Sequence, residues 1–533
     1  MTRLNRIFYE INSLNVSAFF IVAITGIPAL NILLGALARP TENWQHIQQY
    51  LLTDYIINTV ILFTFTGLFA SLLGVSLAYI TTVFDFPLKN FFRWSLILPL
   101  SIPAYIGAYT YSGMVDYTGV ITKTLNQILG KRILIDIMSM PGTIFIFSIF
   151  LFPYVYIISR SFFANYTASL IESARMLGRN YWQTFFSVIL PISRGVIASG
   201  CALVLMEVAN DYGVVNYFGI STFSIAIFKV WFGMNDIGAA IRLCLYLMGF
   251  VLFIIIIEKL LRGQRRFGIT TTKTKALTPH RLDGWQALLA TVYCFLVFGF
   301  GFLFPLLQLI VWAAMTYGDV LHADFLVAAG NTIIASALCA AIIVVCALTI
   351  TNSARISHSP LIKFVSKLTV LSYSIPAAVI AIGVLVFFVA LTKMTENLWN
   401  YSALTSLSML YFAYIVRFLA VGCSSIENGF EKVGKTFFEA SRTLGYSTAK
   451  TFFKVDAPMI ASSIMGAFAL VFVDMTKELP LTLILRPFNY NTLASKVYEY
   501  AHDERIRESA PAALIIIAVC AISVYYLSKA EKE

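Results

Sequence analysis

The sequence predicts an all-α polytopic membrane protein with about 12 transmembrane helices in two parallel six-helix repeats. Its 533 residues are 59% hydrophobic and only 12% charged, whereas soluble domains carry roughly a quarter charged residues. Apolar segments long enough to cross a bilayer, which takes about 20 residues, recur along the whole chain. Two polar segments of closely similar sequence interrupt this background and indicate an internal duplication.

Six candidate spans precede a basic segment, and six follow it. The first six are residues 16–37, 55–83, 94–113, 140–159, 186–209 and 239–261. The second six are residues 286–315, 331–351, 368–391, 402–423, 458–476 and 510–528. We therefore divide the chain into a first half (1–262), a basic cytoplasmic linker (263–284) and a second half (285–533).

The basic residues of the loops predict the orientation. Arg3 and Arg6 precede the first span, and the positive-inside rule then puts the N-terminus in the cytoplasm. Counting spans places both termini, the linker and Arg355 inside, and it places the loop 317–329, which lacks Lys and Arg, outside. We interpret the net charge of +11 as a consequence of topology, so no nucleic-acid partner is expected.

The two polar segments share their residue types and their spacing. They run from Glu172 to Gly178 with Pro191 thirteen residues later, and from Glu439 to Gly445 with Pro458 thirteen residues later, at a constant offset of 267. A Glu near a helix start is favoured by the helix dipole, and a Gly commonly ends a helix. Each segment, near 168–191 and 435–458, is therefore predicted to form a short cytoplasmic helix across the membrane face.

The duplication extends into the spans. Asn58 and Thr59 recur as Asn331 and Thr332, and the sequence Ser-Ile-Pro-Ala at 101–104 recurs at 374–377, both at an offset of 273. Because six spans is an even number, both halves cross the membrane in the same direction. The halves are therefore parallel repeats, an arrangement found in transporters.

A nucleotide-binding signature adjoins the second polar segment. Residues Gly429–Thr436 match the pattern G-x-x-x-x-G-K-[ST] in every position. That motif binds phosphate only between a strand and a helix, and here it follows a predicted span. We expect no cofactor bound by this chain, no catalytic or metal-ligand constellation and no enzyme activity.

Acidic residues recur at equivalent places after the polar segments. They are Glu207 and Asp211 in the first half and Asp474 and Glu478 in the second. Charges within the membrane are costly and usually face a pathway, and carboxylates suit a hard cation. The alternative is that they are solvated at the external interface or paired with Lys477 or Arg486. The sequence leaves both interpretations open.

The polar segments resemble the EAA loop of binding-protein-dependent ABC transporter permeases, a Glu-Ala-Ala followed by Gly and then Leu-Pro. Ser173 replaces the first Ala in one copy, and Ser441 replaces the second Ala in the other. The resemblance implies a coupling helix that sits in a groove of an ATPase subunit. The residues implied to carry that role are Glu172, Ala174, Gly178, Glu439, Ala440 and Gly445. Two copies imply a fused permease that contacts two ATPase subunits, and ATP would be bound and hydrolysed by these partner subunits.

Further segments resemble the ferric-iron branch of this family. They are Asn210–Gly213, Asn216–Gly219, Trp231–Met234, Lys477–Pro480 and Leu485–Pro487. The resemblance implies a permease of the bacterial inner membrane that moves ferric iron inward by alternating access and receives it from a periplasmic or surface binding protein. The same architecture could instead import thiamine or an oxyanion, and an ion-driven secondary transporter is the alternative from another class.

Overall fold

The computed structural model describes residues 13–35, 37–130, 135–166, 168–262, 279–357, 359–371, 374–399 and 407–530. Up to the predicted linker the helices are α1 Ser13–Gly35, α2 Glu42–Tyr50, α3 Leu52–Val83, α4 Lys89–Ser95, α5 Ala104–Val115, α6 Val120–Leu129, α7 Met140–Tyr166, α8 Ala168–Met176, α9 Tyr181–Thr184, α10 Leu190–Asn210, α11 Gly213–Tyr217, α12 Phe223–Met234 and α13 Ile237–Arg262.

The helices after the linker follow a similar order. They are α14 Trp285–Phe298, α15 Phe304–Val320, α16 Ala323–Ile356, α17 Pro360–Leu371, α18 Ala377–Trp399, α19 Leu407–Val433, α20 Thr436–Thr443, α21 Thr448–Thr451, α22 Ala457–Met459, α23 Ala461–Thr476, α24 Pro480–Leu485, α25 Leu493–His502 and α26 Ala510–Ala530. Short 3-10 segments lie at Leu98–Ser101 and Ile506–Ser509, and π segments lie at Phe185–Ile189, Gly299–Leu303 and Phe452–Asp456.

The described residues contain one small parallel pair of strands, β1 Phe84–Asp85 and β2 His280–Arg281. Ten helical segments among the described residues are long and apolar enough to cross a membrane, and two bent pairs bring the number to twelve. The bent pairs are 89–101 with 104–129, at 92°, and 448–459 with 461–476, at 74°. The prediction of an all-α protein with about twelve spans is confirmed, and the chain is a multi-pass membrane protein.

The first bend follows from its sequence. Pro103 separates the 3-10 segment Leu98–Ser101 from α5 and has an extended backbone, with φ −53° and ψ 138°. A proline cannot donate the backbone hydrogen bond that would continue a helix through this position. The third predicted span is therefore two helical pieces that meet at an angle.

One compact unit combines Met1–Thr41 and Asn235–Leu245 with His322–Lys496. Within it, α1 packs against α16, α17 and α18. The approach is close, because a Cβ added to Gly383 would clash with the carbonyl oxygen of Pro28. The first span of the chain is thus held by helices of the second half.

The other compact unit combines Glu42–Met234 and Tyr246–Leu321 with Val497–Glu533. Its centre is the pair α3 and α7, where Gly74 lets the helices touch, since an added Cβ would lie 2.7 Å from Val155 Cβ. The helices α14, α15 and α26 of the second half also pack in this unit. Packing units and sequence halves therefore divide the chain differently, and linker residues 263–278 lie outside the described residues.

Candidate functional site

The first polar segment forms a short helix with a defined C-terminal turn. Helix α8 ends beside Gly178, whose φ is +83°. The Gly178 N–H donates to the carbonyl oxygen of Arg175 (2.9 Å), and the Arg179 N–H donates to that of Ala174 (3.1 Å). This is the Schellman pattern, which places a residue with positive φ after the helix. Glycine meets that requirement without the steric strain that a Cβ adds.

The second polar segment is built in the same way. Helix α20 ends beside Gly445, whose φ is +86°. The Gly445 N–H donates to the carbonyl oxygen of Arg442 (3.1 Å), and the Tyr446 N–H donates to that of Ser441 (3.2 Å). The sequence offset of 267 thus corresponds to an equivalent backbone. We call each helix with the residues up to its proline a coupling segment (168–191 and 435–458).

The two coupling segments continue alike beyond their glycines. Asn180 caps α9 by accepting from the Gln183 N–H (2.8 Å), and Ser447 caps α21 by accepting from the Lys450 N–H (3.3 Å). Such caps satisfy N–H groups that the first helical turn leaves without partners. A π segment follows at the same offset in both copies, Phe185–Ile189 and Phe452–Asp456.

Both coupling helices expose their acidic residue. Glu172 and Glu439 are solvent-accessible, as are the apolar side chains Leu177 (83% exposed) and Leu444 (79% exposed) beside the glycines. Leu177 adjoins the exposed Met176, and exposed apolar patches rimmed by polar residues are typical of a surface that binds another protein. The placement of Glu172 and Glu439 on accessible helices, and of Gly178 and Gly445 at the turns that end them, is compatible with the predicted role.

The two alanines proposed for coupling occupy different positions. Ala174 is 5% exposed and Ser441 is 4% exposed, and these are the equivalent residues that face the body of the chain. Ser173 and Ala440 are the equivalent exposed pair. A partner could therefore reach Ala440 directly, whereas any effect of Ala174 must act through the packing of its own helix.

The first coupling segment is anchored to its unit by an aromatic side chain of α3. The Tyr79 hydroxyl donates to the carbonyl oxygen of Tyr181 (3.0 Å). Its ring lies 4.6 Å from the ring of Phe185 in the π segment and 6.2 Å from the ring of Phe163. Both partners are uncharged, so this anchor combines apolar packing with one neutral hydrogen bond.

The second coupling segment is anchored by an ion pair. Arg355, at the end of α16, lies 3.0 Å from the carboxylate of Asp456 in the π segment, and both side chains are almost fully buried, at 8% and 0% exposed. The same guanidinium donates to the carbonyl oxygen of Gly434 and lies 4.6 Å from the centre of the Phe430 ring. One side chain thus joins three parts of this unit.

The nucleotide-binding signature adopts a different structure from a phosphate loop. Gly429 lies within α19, Gly434 has φ +73° at the turn after it, and α20 begins at Thr436. A phosphate loop requires a strand before the glycines, and a helix occupies that position here. This helix–turn–helix therefore lacks the structural context of nucleotide binding.

Two of the four predicted pathway acids cap short helices at the far ends of α10 and α23. The Asp211 carboxylate accepts from the Val214 N–H (2.8 Å) at the start of α11. The Glu478 carboxylate accepts from the Leu481 N–H (3.1 Å) at the start of α24. These equivalent contacts give both acids a structural role that the sequence did not predict.

The other two acids lie one turn earlier. Asp474 pairs with Lys477 at 2.9 Å, with side chains 26% and 29% exposed, so the pairing considered from the sequence is present. Glu207 is partly buried near the end of α10. Glu207 and Asp211 belong to one compact unit, Asp474 and Glu478 to the other. Their part in a pathway stays a prediction.

Sequence reasoning missed a group of tyrosines beside Asp211, which we call the tyrosine cluster. Its members are Tyr105, Tyr109, Tyr212, Tyr217 and Tyr498. The Asn216 amide donates to the Tyr498 hydroxyl (2.9 Å), and burial together with the neighbouring Tyr498 raises the pKa of the Tyr212 phenol. No sequence motif joins residues that are almost three hundred positions apart, such as Asn216 and Tyr498.

The model of the family described as "Binding-protein-dependent transport system inner membrane component" matches residues 70–266 and again 353–530. The chain belongs to this family. The double match is that of a fused permease with two halves, and each matched region contains one coupling segment. The chain is thus a transport subunit rather than an enzyme.

Curated relatives of this permease carry different names. Over 90% of both chains, it is 25% identical to the Fe(3+)-transport system permease protein FbpB 2 of Haemophilus influenzae. It is 21% identical to the ferric transport system permease protein FbpB of Actinobacillus pleuropneumoniae, over 78% of this chain and 62% of the relative. A probable sulfate transport system permease protein of Chlorokybus atmophyticus is 27% identical, over 30% of this chain and 56% of the relative.

Proposed function

We propose that this permease is the membrane subunit of an ABC importer that moves ferric iron inward by alternating access. Two copies of a separate ATPase subunit would drive it, and a periplasmic or surface binding protein would deliver the iron. The names of two relatives that match most of the chain, Fe(3+)-transport and ferric transport permease, support the cargo. The equivalent backbones of the two coupling segments support a pair of identical ATPase contacts.

The orientation that we propose is the one predicted from the loops. Both termini and both coupling segments would face the cytoplasm of a bacterial inner membrane, where ATP is available. The external ends of α10 and α23 would then carry the acidic residues and the tyrosine cluster. The binding protein would dock on that side.

Each coupling helix would insert into a groove of an ATPase subunit. Glu172 and Glu439 lie on accessible helices, next to the exposed Leu177 and Leu444. The apolar side chains would contribute contact area, and the carboxylates would fix the orientation, since charged groups at an interface contribute mainly to specificity. No cofactor would be bound by this chain, because ATP would bind to the partner subunits.

The proposal is tested with Glu172→Lys and Glu439→Lys. Both residues are exposed, so charge reversal should leave insertion and folding intact while it weakens ATPase docking. The measurement is permease-stimulated ATPase activity and uptake of radioactive ferric iron in proteoliposomes with the ATPase and the binding protein. Asp283→Lys is the matched control, because Asp283 is also exposed (84%) and lies outside both segments. Normal uptake in both charge-reversal variants would exclude the coupling role.

The cargo has two rivals, thiamine and an oxyanion, and the second is supported by the sulfate permease relative. Uptake of labelled ferric iron, sulfate and thiamine by the same vesicles distinguishes them. An ion-driven secondary transporter is the rival from another class. Uptake that follows an ion gradient without the ATPase would favour it, whereas uptake that requires the ATPase and ATP would exclude it.

A further inference from the structure

The tyrosine cluster lies at the end of α10 opposite the first coupling segment, inside one compact unit. Its members come from α5, from the α10–α11 connection, from α11 and from α25. The rings of Tyr109 and Tyr217 are 4.6 Å apart, those of Tyr105 and Tyr109 are 5.9 Å apart, and those of Tyr212 and Tyr498 are 6.1 Å apart. Residues distant in sequence thus bring several phenol groups to one place.

Tyr109 is the member that ordinary packing does not explain. It is 1% exposed, and its hydroxyl lacks a hydrogen-bond partner among the described residues. Its ring packs against that of Tyr217 in α11, and Asn216 of the same short helix donates to the Tyr498 hydroxyl, so the packing joins Tyr109 to the rest of the cluster. A buried hydroxyl without a partner is costly, and such groups often indicate a bound ion or water.

The second half shows that the fold does not need four of these five hydroxyls. The offsets of 273 and 267 pair Tyr105, Tyr109, Tyr212 and Tyr217 with Ala378, Ile382, Leu479 and Ile484. The offset of 267 is supported because Asp211 and Glu478 cap equivalent helices, and the offset of 273 by the Ser-Ile-Pro-Ala repeat at 101–104 and 374–377. Four apolar side chains therefore support the same backbone in the second half. The four tyrosines of the first half require an explanation other than the fold.

We propose that the tyrosine cluster binds the ferric ion during its passage, through the phenol oxygens of Tyr109, Tyr212 and Tyr498 and the carboxylate of Asp211. The inference rests on the proposed iron cargo. Oxygen ligands suit hard cations, and tyrosine is an established iron ligand. Each phenol that ligates the ion would release its proton to water, because metal ligands bind in their deprotonated form.

Other contacts of the same residues would keep the binding weak enough for release. Asp211 already caps α11, and Tyr498 already accepts from Asn216, so the ion would compete with these hydrogen bonds. A transport pathway needs sites that attract the cargo and also let it leave. The described residues contain no group of three or more His, Cys, Asp or Glu side chains able to hold a metal ion. That part of the chain therefore offers the ferric ion no such group that would bind it tightly.

The first test is a ferric citrate titration of the purified full chain with its ATPase partner. Iron bound to a phenolate absorbs visible light through charge transfer, and we expect this band in the unmodified protein. Tyr109→Phe and Tyr498→Phe remove one hydroxyl each and should weaken binding about 10-fold or more. Tyr414→Phe is the control, because Tyr414 is a buried tyrosine of the second half with its hydroxyl 2.6 Å from Thr482 Oγ1. Absence of the band in the unmodified protein, or an undiminished band in both cluster variants, would overturn the inference.

The second test is uptake of ferric iron by the same proteins in proteoliposomes, with their melting temperatures measured in parallel. Tyr109→Phe should lower uptake about 10-fold or more, with a melting temperature no lower than that of Tyr414→Phe. If the unmodified protein takes up no iron, the proposed cargo is wrong, and the titration alone decides whether the cluster binds metal. If uptake is normal in the unmodified protein and in both cluster variants, only the tyrosine site is wrong.

Discussion

The two coupling segments have the same backbone and different anchors. Both helices end in a Schellman turn at a glycine, and both are followed by a capped turn and a π segment at the offset of 267. Tyr79 holds the first through a neutral hydrogen bond and ring packing. Arg355 and Asp456 hold the second through a buried ion pair. Equivalent geometry is thus maintained by different chemistry.

The anchors of the two coupling segments therefore differ in how much free energy of unfolding they contribute, although the two backbones are similar. The first half has Thr82 and Ile189 at the positions of Arg355 and Asp456, so the backbone does not require an ion pair. A buried charge pair is strongly destabilised when one partner is removed, whereas a neutral hydrogen bond contributes only about 0.5–1.5 kcal/mol. The second coupling segment should therefore be the one more sensitive to mutation.

The largest effect is expected from Arg355→Met. This change leaves the Asp456 carboxylate buried without its counter-ion and should destabilise the protein by about 3–5 kcal/mol. The apparent melting temperature of the purified protein in detergent measures it. Arg355→Met should also weaken stimulation of the ATPase, because the guanidinium joins α16 to the residues on both sides of α20.

The control for this prediction is supplied by the chain itself. The double variant Arg355→Thr with Asp456→Ile introduces the first-half residues at both positions. Removing both charges avoids the uncompensated carboxylate, so the double variant should be more stable than Arg355→Met. A double variant that is as unstable as the single one would show that lost packing, and not the unpaired charge, controls this anchor.

A sequence repeat predicts a shared backbone conformation well, because the residue types that such a conformation requires recur at the same spacing. Gly178 and Gly445 were predicted to end the helices, and both have positive φ. The twelve spans were predicted from apolar length alone, since the bilayer fixes that length. The bend at Pro103 was not predicted, because a proline shows where a helix is interrupted and not the angle between the pieces.

The anchors and the tyrosine cluster could not be predicted for a common reason. Arg355 was interpreted as an inside loop residue, because a sequence shows a cation near the end of a span but not the buried Asp456 that it pairs with. Asp211 was considered only as a pathway or interface acid, although it also caps α11. Contacts between distant residues depend on how the helices pack, which local patterns do not contain.

A smaller effect, equal in both halves, is expected from Gly178→Ala and Gly445→Ala. Each adds a Cβ at φ near +85°, where an L-residue costs about 1–2 kcal/mol. The added Cβ meets nothing within 4 Å at either position, so backbone strain is the whole effect. Melting temperatures measured side by side should fall by similar amounts.

Gly466→Ala is the matched control for both glycine variants. Gly466 lies inside α23 without a positive φ, and its added Cβ also meets nothing within 4 Å. Alanine is favoured over glycine in a helix by about 0.5–1 kcal/mol, so this variant should be as stable as the unmodified protein or more stable. Unequal losses for Gly178→Ala and Gly445→Ala would contradict the equivalence of the two turns.

The smallest effect is expected from Tyr79→Phe in the first anchor. The ring and its contacts with Phe185 and Phe163 remain, and only the hydrogen bond to the Tyr181 carbonyl is lost. Such a loss costs about 0.5–1.5 kcal/mol, and the value should lie near the lower end because Tyr181 is partly accessible to water. The melting temperature should therefore fall much less than in Arg355→Met. Equal falls in melting temperature for Tyr79→Phe and Arg355→Met would show that the buried charge does not make the second anchor more sensitive to mutation. The energetic difference inferred between the two anchors would then be wrong.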